Sequence, residues 1–446
     1  MYRVGFYITI IISRLIYLAI KLLNKSSGTS FIGMCALKIC PNFLKFAKSH
    51  VKTSFAVTGT NGKTTTSGFL AHILECQKDV SIVHNVKGAN MITGIANVFA
   101  LNIRPFKVFD YAVLESDEAY LTKLYDFYKT EYLLVTNLFR DQLDRYGELE
   151  TTASYIQNAI DKAHPTLLLN ADDPLVMNLG KGKNAIYYGF EDVQYAVEQS
   201  QKDTAPCEMF SCRCSTPLKY KKRFFAQQGH YYCENCGFTR PEPNIKAYCT
   251  VYKNYSLIKV LYKDKEYEFK INLVGLFNAY NALAAISQAL VAGIDYKVIK
   301  AATESYRSIF GRTETRTING IKTLIQLIKN PTGASEVLKT VDLNSRIIIA
   351  INDNYADGRD VSWLWDSDFE FLKDCKYPIV TTGIRAYDMA VRLKYAGIPT
   401  DKIIVEEDIK DSIFKTVEKC KKTGDEITIL PTYTALLYIT KIKGDK

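Results

Sequence analysis

Residues 58–66 read Thr58-Gly59-Thr60-Asn61-Gly62-Lys63-Thr64-Thr65-Thr66, which is the composition of a phosphate-binding loop. They follow a short apolar run and lead into a helical pattern. The two glycines let backbone amides turn toward phosphates, and the new helix adds its positive end. The lysine is expected to reach the outer phosphates, and the first hydroxyl after it to bind magnesium. The predicted phosphate contacts are Gly59, Asn61, Gly62, Lys63, Thr64 and Thr65.

The chain has 446 residues, enough for two or three domains that each bury a core. With 47% hydrophobic and 23% charged residues, its composition is that of a globular protein. The formal net charge of +10 points to an anionic partner: a nucleotide, a nucleic acid or a membrane surface. The 11 cysteines are scattered apart from one cluster, which argues for a reducing compartment without disulfides.

The first 25 residues are predicted to form a helix. The run from Gly5 to Ile20 is strongly apolar but is interrupted by Arg14. On a helix, Arg3, Arg14 and Lys21 fall within roughly 20° of one another, which makes a narrow basic stripe. Two alternatives are equally open: an interfacial helix on an anionic membrane, or a helix packed on the protein's own surface. A signal peptide or a single span ranks below both, because Arg14 would lie in mid-membrane.

Apolar strands alternate with helical patterns from the phosphate loop to about residue 190, which indicates an α/β domain with a largely parallel sheet. A short helical segment is predicted at Ala36–Ser49, strand patterns at Tyr248–Val260 and Lys265–Val274, and a second α/β unit from about residue 313. The predicted domains are an N-terminal amphipathic helix and linker (1–48), an ATP-binding domain with an insertion at about 205–243 (49–311), and a smaller Rossmann-like domain (312–446).

Three acidic residues, Glu115, Asp117 and Glu118, follow the apolar run that ends at Leu114. A carboxylate at a strand end beside a phosphate loop is well placed to hold magnesium, directly or through water. Glu115 is favoured because it comes first. The alternative, which weighs more for the other two acids, is that they cap the start of a helix.

The insertion contains the cysteine cluster. Cys233 and Cys236 have the C-x-x-C spacing, with a glycine after it, that wraps two thiolates round zinc. Cys212 and Cys214 complete four ligands if their turn is tight, and Cys207 is an alternative to Cys212. Four thiolates leave no open coordination position, so this zinc would be structural. Unliganded cysteines in a decayed ribbon are the other possibility.

Two further regions carry candidate ligands. The loop Asn352–Asp360 follows an apolar strand, at the end where open α/β sheets bind ligands. Its acids, which include Asp353 and Asp360, would bind a ribose hydroxyl or accept a proton from an attacking amine. Elsewhere, Asn278 and Asn281 begin an Ala-rich helix, and Arg312 is placed to neutralise a γ-phosphate.

These segments together resemble the Mur ligase family. The resemblance begins with the phosphate loop, in which Val57 replaces the glycine of the general P-loop, and with the run Phe277–Ala285. Within the family, the chain is similar to the synthetase subunit of lipid II isoglutaminyl synthase. That similarity rests on the cysteine insertion, Gly88-Ala89-Asn90-Met91, Asn330-Pro331 and the 136–148 and 352–360 loops. It implies a Mur-ligase-type P-loop domain with an inserted zinc ribbon, followed by a Rossmann-like α/β domain.

The resemblance implies an amidation. ATP would phosphorylate the α-carboxyl of D-glutamate in the stem peptide of lipid II, and ammonia from a glutaminase partner resembling GatD would leave D-isoglutamine. Asp360 matches the family's catalytic aspartate. The implied ligands are Lys63, Thr64 and Glu115 for phosphate and magnesium, and Asn278, Asn281, Arg312 and Asp353 for ATP. The protein would be cytoplasmic and peripheral at the inner face of the membrane, with no nucleic-acid partner.

Two other classes compete with this prediction. An amino-acid-adding Mur ligase or a folylpolyglutamate-type ligase would share the phosphate loop but lack the cysteine ribbon. A non-catalytic scaffold that docks a partner at the membrane is disfavoured, because Lys63, Thr64, Glu115 and Asp360 are all intact.

Overall fold

The computed structural model describes residues 2–22, 30–86, 89–139, 149–196, 211–252, 254–307 and 314–442. Over these ranges the chain forms a nine-stranded sheet, a six-stranded sheet and a two-stranded ribbon. The helices are α1 Tyr2–Leu22, α2 Phe31–Ile39, α3 Phe43–Lys48, α4 Lys63–Glu75, α5 Ile92–Asn102, α6 Glu118–Leu124, α7 Leu149–Ala163, α8 Pro174–Asn178, α9 Leu276–Val291, α10 Tyr296–Ser305, α11 Pro331–Leu338, α12 Ala386–Tyr395, α13 Ile409–Thr423 and α14 Tyr433–Ile439.

The strands of the nine-stranded sheet are β1 Val51–Thr58, β2 Ile82–His84, β3 Phe109–Glu115, β4 Tyr132–Val135, β5 Thr166–Asn170, β6 Ala185–Tyr195, β9 Ile245–Val251, β10 Ser256–Tyr262 and β11 Lys265–Ile271. The ribbon consists of β7 Lys219–Phe225 and β8 Gln228–Tyr232. The six-stranded sheet contains β12 Glu314–Ile318, β13 Ile321–Ile325, β14 Arg346–Ala350, β15 Ile379–Thr382, β16 Ile403–Val405 and β17 Ile427–Pro431.

The order of the nine-stranded sheet is β11-β10-β9-β6-β5-β4-β1-β3-β2. It is parallel from β2 to β9, and β10 and β11 complete it as antiparallel strands. Strand β1 carries the phosphate loop at its carboxyl end and lies between β3 and β4. The loops that follow these three strands therefore meet at one edge of the sheet, where α/β folds bind ligands. The predicted α/β class with a largely parallel sheet is confirmed.

Two sequence predictions about secondary structure were wrong in detail. The helix predicted for Ala36–Ser49 is divided between α2 and α3, because Pro41 cannot donate the backbone hydrogen bond of a continuous helix. The strand predicted for Tyr248–Val260 is divided between β9 and β10, which pair antiparallel. The turn between them is closed by a 2.9 Å hydrogen bond from Tyr252 N to Tyr255 O.

The six-stranded sheet has the order β12-β13-β17-β14-β15-β16 and is parallel except for β12. It matches the second α/β unit expected from the sequence. Strand β14 ends at Ala350, so the Asn352–Asp360 loop leaves its carboxyl end as predicted. At the other sheet, Asn61 accepts a 2.8 Å hydrogen bond at its Oδ1 from Asn330 Nδ2, at the N-cap of α11. The two sheets thus contact each other at the phosphate loop.

Helix α1 packs one face against the body of the protein, with Phe6 and Ile10 buried. Arg14, predicted to lie on a membrane-facing basic stripe, instead points toward the protein. Its Nη2 donates to the carbonyl oxygens of Leu101 and Ile103 at 3.3 and 2.6 Å. These carbonyls lie at the C-terminal end of α5, where helix carbonyls lack intrahelical partners and favour a cation. The expected basic stripe is therefore corrected at Arg14.

A buried ion pair connects the segment after the ribbon to the main sheet. Arg240 Nε donates to Asp172 Oδ1 at 2.7 Å, and its terminal nitrogens lie 3.0 Å from Glu191 Oε1. Asp172 Oδ2 accepts from Phe190 N and from the Tyr280 hydroxyl, both at 2.8 Å. Burial raises the pKa of Asp172, and the Arg240 charge opposes that shift. Through Tyr280 the network reaches α9, which carries two predicted nucleotide contacts.

We expect Arg240→Met to lower the free energy of unfolding by about 3–5 kcal/mol, because Asp172 would be left as a buried carboxylate without its cation. Lys259→Met is the matched control. It removes the partner of Glu266 from an exposed pair and should cost less than about 1 kcal/mol. Urea denaturation followed by circular dichroism measures both variants. Equal, small effects would show that Asp172 does not depend on Arg240 for stability.

Candidate active site

Two glycines hold the phosphate loop in an open turn. Gly59 has a φ of +121° and Gly62 a φ of +81°, which are conformations that favour glycine. A Cβ on Gly62 would lie 1.9 Å from Asn281 Oδ1, and one on Gly59 would lie 2.4 Å from Thr136 Oγ1. Both positions therefore require glycine for conformation and for close approach.

Asn137, just after β4, clamps this loop. Its Oδ1 accepts from Asn61 N at 2.8 Å, and its Nδ2 donates to Asn61 O at 3.1 Å. The Thr136 hydroxyl donates to the same carbonyl at 2.8 Å. The sequence predicted a ligand-facing loop at 136–148 but not this clamp, since the only signal is a polar pair after an apolar strand. Residues 140–148 lie outside the described part of the chain.

The three acids after β3 have three different partners. Glu118 Oε1 accepts from Lys63 Nζ at 2.8 Å. Asp117 accepts from Ala119 N at 3.1 Å and caps α6. Glu115 Oε1 accepts from the Thr64 hydroxyl at 3.0 Å. The capping alternative therefore holds for Asp117, whereas Glu115 contacts the first turn of the phosphate-loop helix.

Lys63 is paired inside the loop. Both its side chain and that of Glu118 are buried, and Lys63 Nζ also donates to Gly59 O at 2.6 Å. Burial raises the pKa of Glu118, while the Lys63 ammonium opposes the shift. The ammonium is held beside the turn where a phosphate would add further anionic oxygens.

Glu115 has the features of a magnesium ligand. It is 2% exposed, and its Oε2 has no hydrogen-bond partner among the described residues. Asn85 fixes its backbone, with Oδ1 accepting from Glu115 N and Nδ2 donating to Glu115 O, both at 2.8 Å. A carboxylate and a hydroxyl are the oxygen ligands that Mg²⁺ prefers, so Glu115 and Thr64 fit this ion. Asn85 was not predicted, because a single polar residue after a three-residue strand is a weak signal.

A cavity of about 730 Å³ opens beside the phosphate loop, a volume typical of small-molecule sites. Five predicted contacts lie in its wall: Asn61, Gly62, Thr65, Asn278 and Asn281. A second wall is aromatic and consists of Phe139, Phe225, Phe277 and Tyr280. The third wall comes from the first turns of α11, through Thr332, Gly333 and Glu336. The cavity thus offers polar groups on the phosphate side and rings suited to a base.

The loop after β14 supplies no residue to that cavity wall among the described residues. Asp353 Oδ2 accepts from Arg385 Nη2 at 2.7 Å. Asp360 is partly buried, and its Oδ1 accepts from Ser362 N at 2.8 Å. Their assigned roles stay predictions. Arg312 lies outside the described residues.

Electrostatics places this loop on the side of the Glu115 site. The pKa of Tyr433, the first residue of α14, is raised by burial first and then by the carboxylates of Asp357 and Glu115. Asp357 itself accepts from Thr434 N at 2.7 Å, at the start of the same helix. One phenol is thus acted on by carboxylates from both sheets.

Four cysteines cluster beside the ribbon. The Sγ atoms of Cys212, Cys214, Cys233 and Cys236 all lie within 4.8 Å of one another. The closest separations are 3.3 Å for Cys212–Cys236 and 3.5 Å for Cys214–Cys233. Thiolates bound to zinc at about 2.3 Å lie about 3.8 Å apart, so the set fits a tetrahedral zinc ion. Cys207 lies outside the described residues.

Two family profiles match the chain. One described as Mur ligase middle domain covers residues 57–236, and one described as MurT ligase C-terminal covers residues 327–436. The first range contains the phosphate loop, Glu115 and the four cysteines, and the second contains the Asn352–Asp360 loop. Fold and site together define an enzyme of the Mur ligase type.

Full-length relatives narrow this class. The chain is 36% identical over 429 residues to the MurT subunit of lipid II isoglutaminyl synthase (glutamine-hydrolyzing) from Streptococcus pneumoniae, covering 94% of this chain and 93% of that protein. It is 35% identical over 430 residues to the MurT subunit from Staphylococcus aureus, covering 93% and 94%. The chain therefore belongs to the MurT family.

Solved structures share the fold. A pseudomurein peptide ligase type C from Methanothermus fervidus aligns with a TM-score of 0.68 at 23% identity, covering 88% of this chain and 79% of that one. A folylpolyglutamate synthase from Mycobacterium tuberculosis aligns with a TM-score of 0.62 at 14% identity, covering 93% and 96%. At these identities the likeness shows the fold alone.

Gly62→Ala should lower the affinity for nucleotide by about tenfold or more, because the added methyl collides with Asn281 and displaces the loop. Gly182→Ala is the matched control: its φ is +70°, so the backbone strain is similar, but a Cβ there meets nothing within 4 Å. Calorimetric titration with a non-hydrolysable ATP analogue and magnesium compares the two. Unchanged affinity in Gly62→Ala would rule out the close approach as a requirement for binding.

Proposed function

We propose that this protein uses ATP and ammonia to convert D-glutamate in the stem peptide of lipid II to D-isoglutamine, in peptidoglycan synthesis. The observation that carries the proposal is the Thr64–Glu115 contact beside the buried Lys63, an arrangement suited to a magnesium-bound γ-phosphate. The alignment with MurT subunits over 94% of the chain supports the amidation in particular.

The first step would be phosphoryl transfer. An oxygen of the substrate α-carboxylate attacks the γ-phosphorus, the bond to the β–γ bridging oxygen breaks, and ADP leaves an acyl phosphate. Lys63 and the backbone amides of the loop would balance the charge on the γ-phosphate, and Asn278, Asn281 and Arg312 would contact ATP. Glu115 and Thr64 would hold Mg²⁺, which supplies Lewis-acid stabilisation of the phosphate charge.

The second step would be amide formation. Ammonia attacks the acyl carbon, and the carbon–oxygen bond to phosphate breaks as phosphate leaves. The attacking nitrogen must lose a proton, and a carboxylate is a suitable acceptor. We assign this role to Asp360, whose orientation is fixed by the backbone amide of Ser362. Asp353, paired with Arg385, would bind the ribose of ATP.

Ammonia would come from a glutaminase subunit resembling GatD. The aligned relatives are each described as one subunit of a glutamine-hydrolyzing synthase. This chain has no cysteine in a G-x-C-x-G context, so it offers no evident glutaminase nucleophile of its own. Because lipid II is anchored in the membrane, the enzyme would act in the cytoplasm at the inner face of that membrane.

An amino-acid-adding Mur ligase or a folylpolyglutamate-type ligase is the second candidate. A MurF ligase from Thermotoga maritima in complex with ADP shares the fold, with a TM-score of 0.63 at 13% identity. The match of residues 327–436 to the MurT C-terminal profile favours amidation over these reactions.

Purified protein incubated with lipid II, ATP, magnesium and ammonium should yield a product lighter by the difference between a hydroxyl and an amino group. Asp360→Asn should lose this activity by about a hundredfold or more, because the proton acceptor is removed, while its affinity for an ATP analogue is unchanged. Mass spectrometry of the product and calorimetry measure the two quantities. Asp374→Asn, at an exposed position of the same unit, is the control.

The outcomes separate the hypotheses. A product heavier by one amino-acid residue would assign ordinary ligation instead of amidation. Normal amidation by Asp360→Asn would remove that residue from the mechanism without refuting the reaction.

We also assign a structural zinc ion to Cys212, Cys214, Cys233 and Cys236. Beside them, the ribbon β7–β8 carries Phe225 to the wall of the cavity. The ribbon is also attached to the main sheet, since Gln227 Nε2 donates to Leu138 O at 2.6 Å. Zinc would therefore act indirectly, by stabilising the segment that presents Phe225.

Cys233→Ser should abolish bound zinc and weaken the binding of an ATP analogue, because the ribbon loses its metal cross-link. Cys76→Ser, at an exposed cysteine outside the cluster, should keep both properties. Elemental analysis gives the zinc content, and calorimetry gives the affinity. Wild-type protein that carries no zinc when purified without chelators would contradict the assignment.

A further inference from the structure

Helix α1 exposes a continuous apolar stripe. Its members follow heptad spacing and range in exposure from 47% for Ile8 to 86% for Leu22: Val4, Ile8, Ile11, Leu15, Leu18 and Leu22. At 3.6 residues per turn they lie within an arc of about 80°. Soluble proteins rarely expose so contiguous an apolar surface without a partner for it.

The opposite face of α1 is fixed to the protein. Phe6, Thr9, Ile10 and Ser13 are buried, and the Phe6 ring packs on Phe43 with centroids 5.0 Å apart. Arg14 adds the hydrogen bonds to the end of α5 described above. The apolar stripe is therefore presented outward by a docked helix.

The surroundings of the stripe are basic. Residues 1–50 contain seven lysines and arginines and no aspartate or glutamate, and the first acidic residue of the chain is Glu75. Lys21 is exposed near the end of α1, and Lys38 is exposed on α2. An apolar strip flanked by cations, with no anions, complements a surface that is apolar beneath and negatively charged at its edge.

A second exposed element lies beside this helix. The loop Arg104-Pro105-Phe106-Lys107-Val108 follows α5, and Phe106 at its tip is 100% exposed. Two contacts hold the loop near α1. Arg14 binds the carbonyl of Ile103, and His50 Nδ1 lies 3.0 Å from Lys107 O while its Nε2 lies 3.5 Å from the Tyr7 hydroxyl. A bare aromatic ring between two cations is typical of loops that enter the membrane interface.

We infer that the outer face of α1 and the 104–108 loop together form a docking surface for an anionic lipid bilayer. The apolar stripe would lie at the level of the acyl chains, with Lys21, Arg104 and Lys107 at the headgroups. The link between this surface and catalysis rests on the proposed function, since docking would bring the active site to a lipid-linked substrate.

Two other occupants fit the surface less well. By length and composition, Val4–Leu22 passes as a membrane-crossing helix, but a span would break the Arg14 contacts and expose Thr9 and Ser13 to lipid. Heptad spacing also suits a coiled coil with a second copy. However, α1 has no acidic residue that would pair with Lys21 across such an interface.

The test is flotation of the full chain with vesicles that contain no lipid II. Wild-type protein should float with vesicles of phosphatidylcholine mixed with phosphatidylglycerol, float less with phosphatidylcholine alone, and dissociate as salt rises. The variant Ile8→Gln with Leu15→Gln should partition about tenfold more weakly, because it removes apolar contacts with the acyl chains. The control, Val391→Gln with Tyr395→Gln, changes exposed apolar residues on α12 and should float like wild type.

Several results would overturn this inference. Equal flotation of both double variants would remove the stripe from membrane binding. A dimer that does not float, and that Ile8→Gln with Leu15→Gln converts to a monomer, would make the stripe a self-association face. Retention in the membrane after alkaline carbonate extraction would make α1 a span. Amidation in detergent is a separate measurement, so vesicle binding by a protein that does not amidate lipid II would refute only the proposed function.

Discussion

The close approach of Gly62 to Asn281 is the constraint on which the candidate site depends. It places the turn before α4 directly against α9, with no space for even a methyl group between them. Thr65 and Asn278, one turn away on either side, consequently line the same cavity. The constraint also explains why the loop needs support from outside itself. A turn with two left-handed glycines is entropically costly to hold, and Asn137 and Asn330 supply the hydrogen bonds that fix it.

The pairing of Lys63 with Glu118 addresses the cost of burying a charge. An isolated ammonium in this position would be strongly disfavoured, whereas the carboxylate keeps it charged before any phosphate arrives. The same arrangement separates the roles of neighbouring acids. Glu118 is occupied by the lysine and Asp117 by the helix start, so Glu115 is left with an unpaired oxygen. Three similar side chains within four residues therefore do different chemistry, because each points to a different element.

Local signals predicted the phosphate loop, the two α/β units and the cysteine set, since each depends on residues close together in the sequence. The partners of the acids were less accessible, because they follow from which strands are neighbours in the sheet. Arg14 shows the limit clearly. Its position on a helical wheel was correct, but the carbonyls that bind it lie 87 and 89 residues away. Asn85 and Asn137 were missed for the same reason, since a single asparagine after a strand does not reveal which backbone it will hold.

The walls of the nucleotide cavity come from three parts of the chain that are far apart in sequence: the phosphate loop with α9, the cysteine-rich ribbon, and α11 beside the six-stranded sheet. A ligand that touches all three binds only their assembled arrangement, so by mass action it stabilises that arrangement against its separated parts. Nucleotide would thus act as a structural cross-link as well as a reactant. Its departure as ADP would loosen the same contacts, and product release and the opening between the two sheets would become a single event.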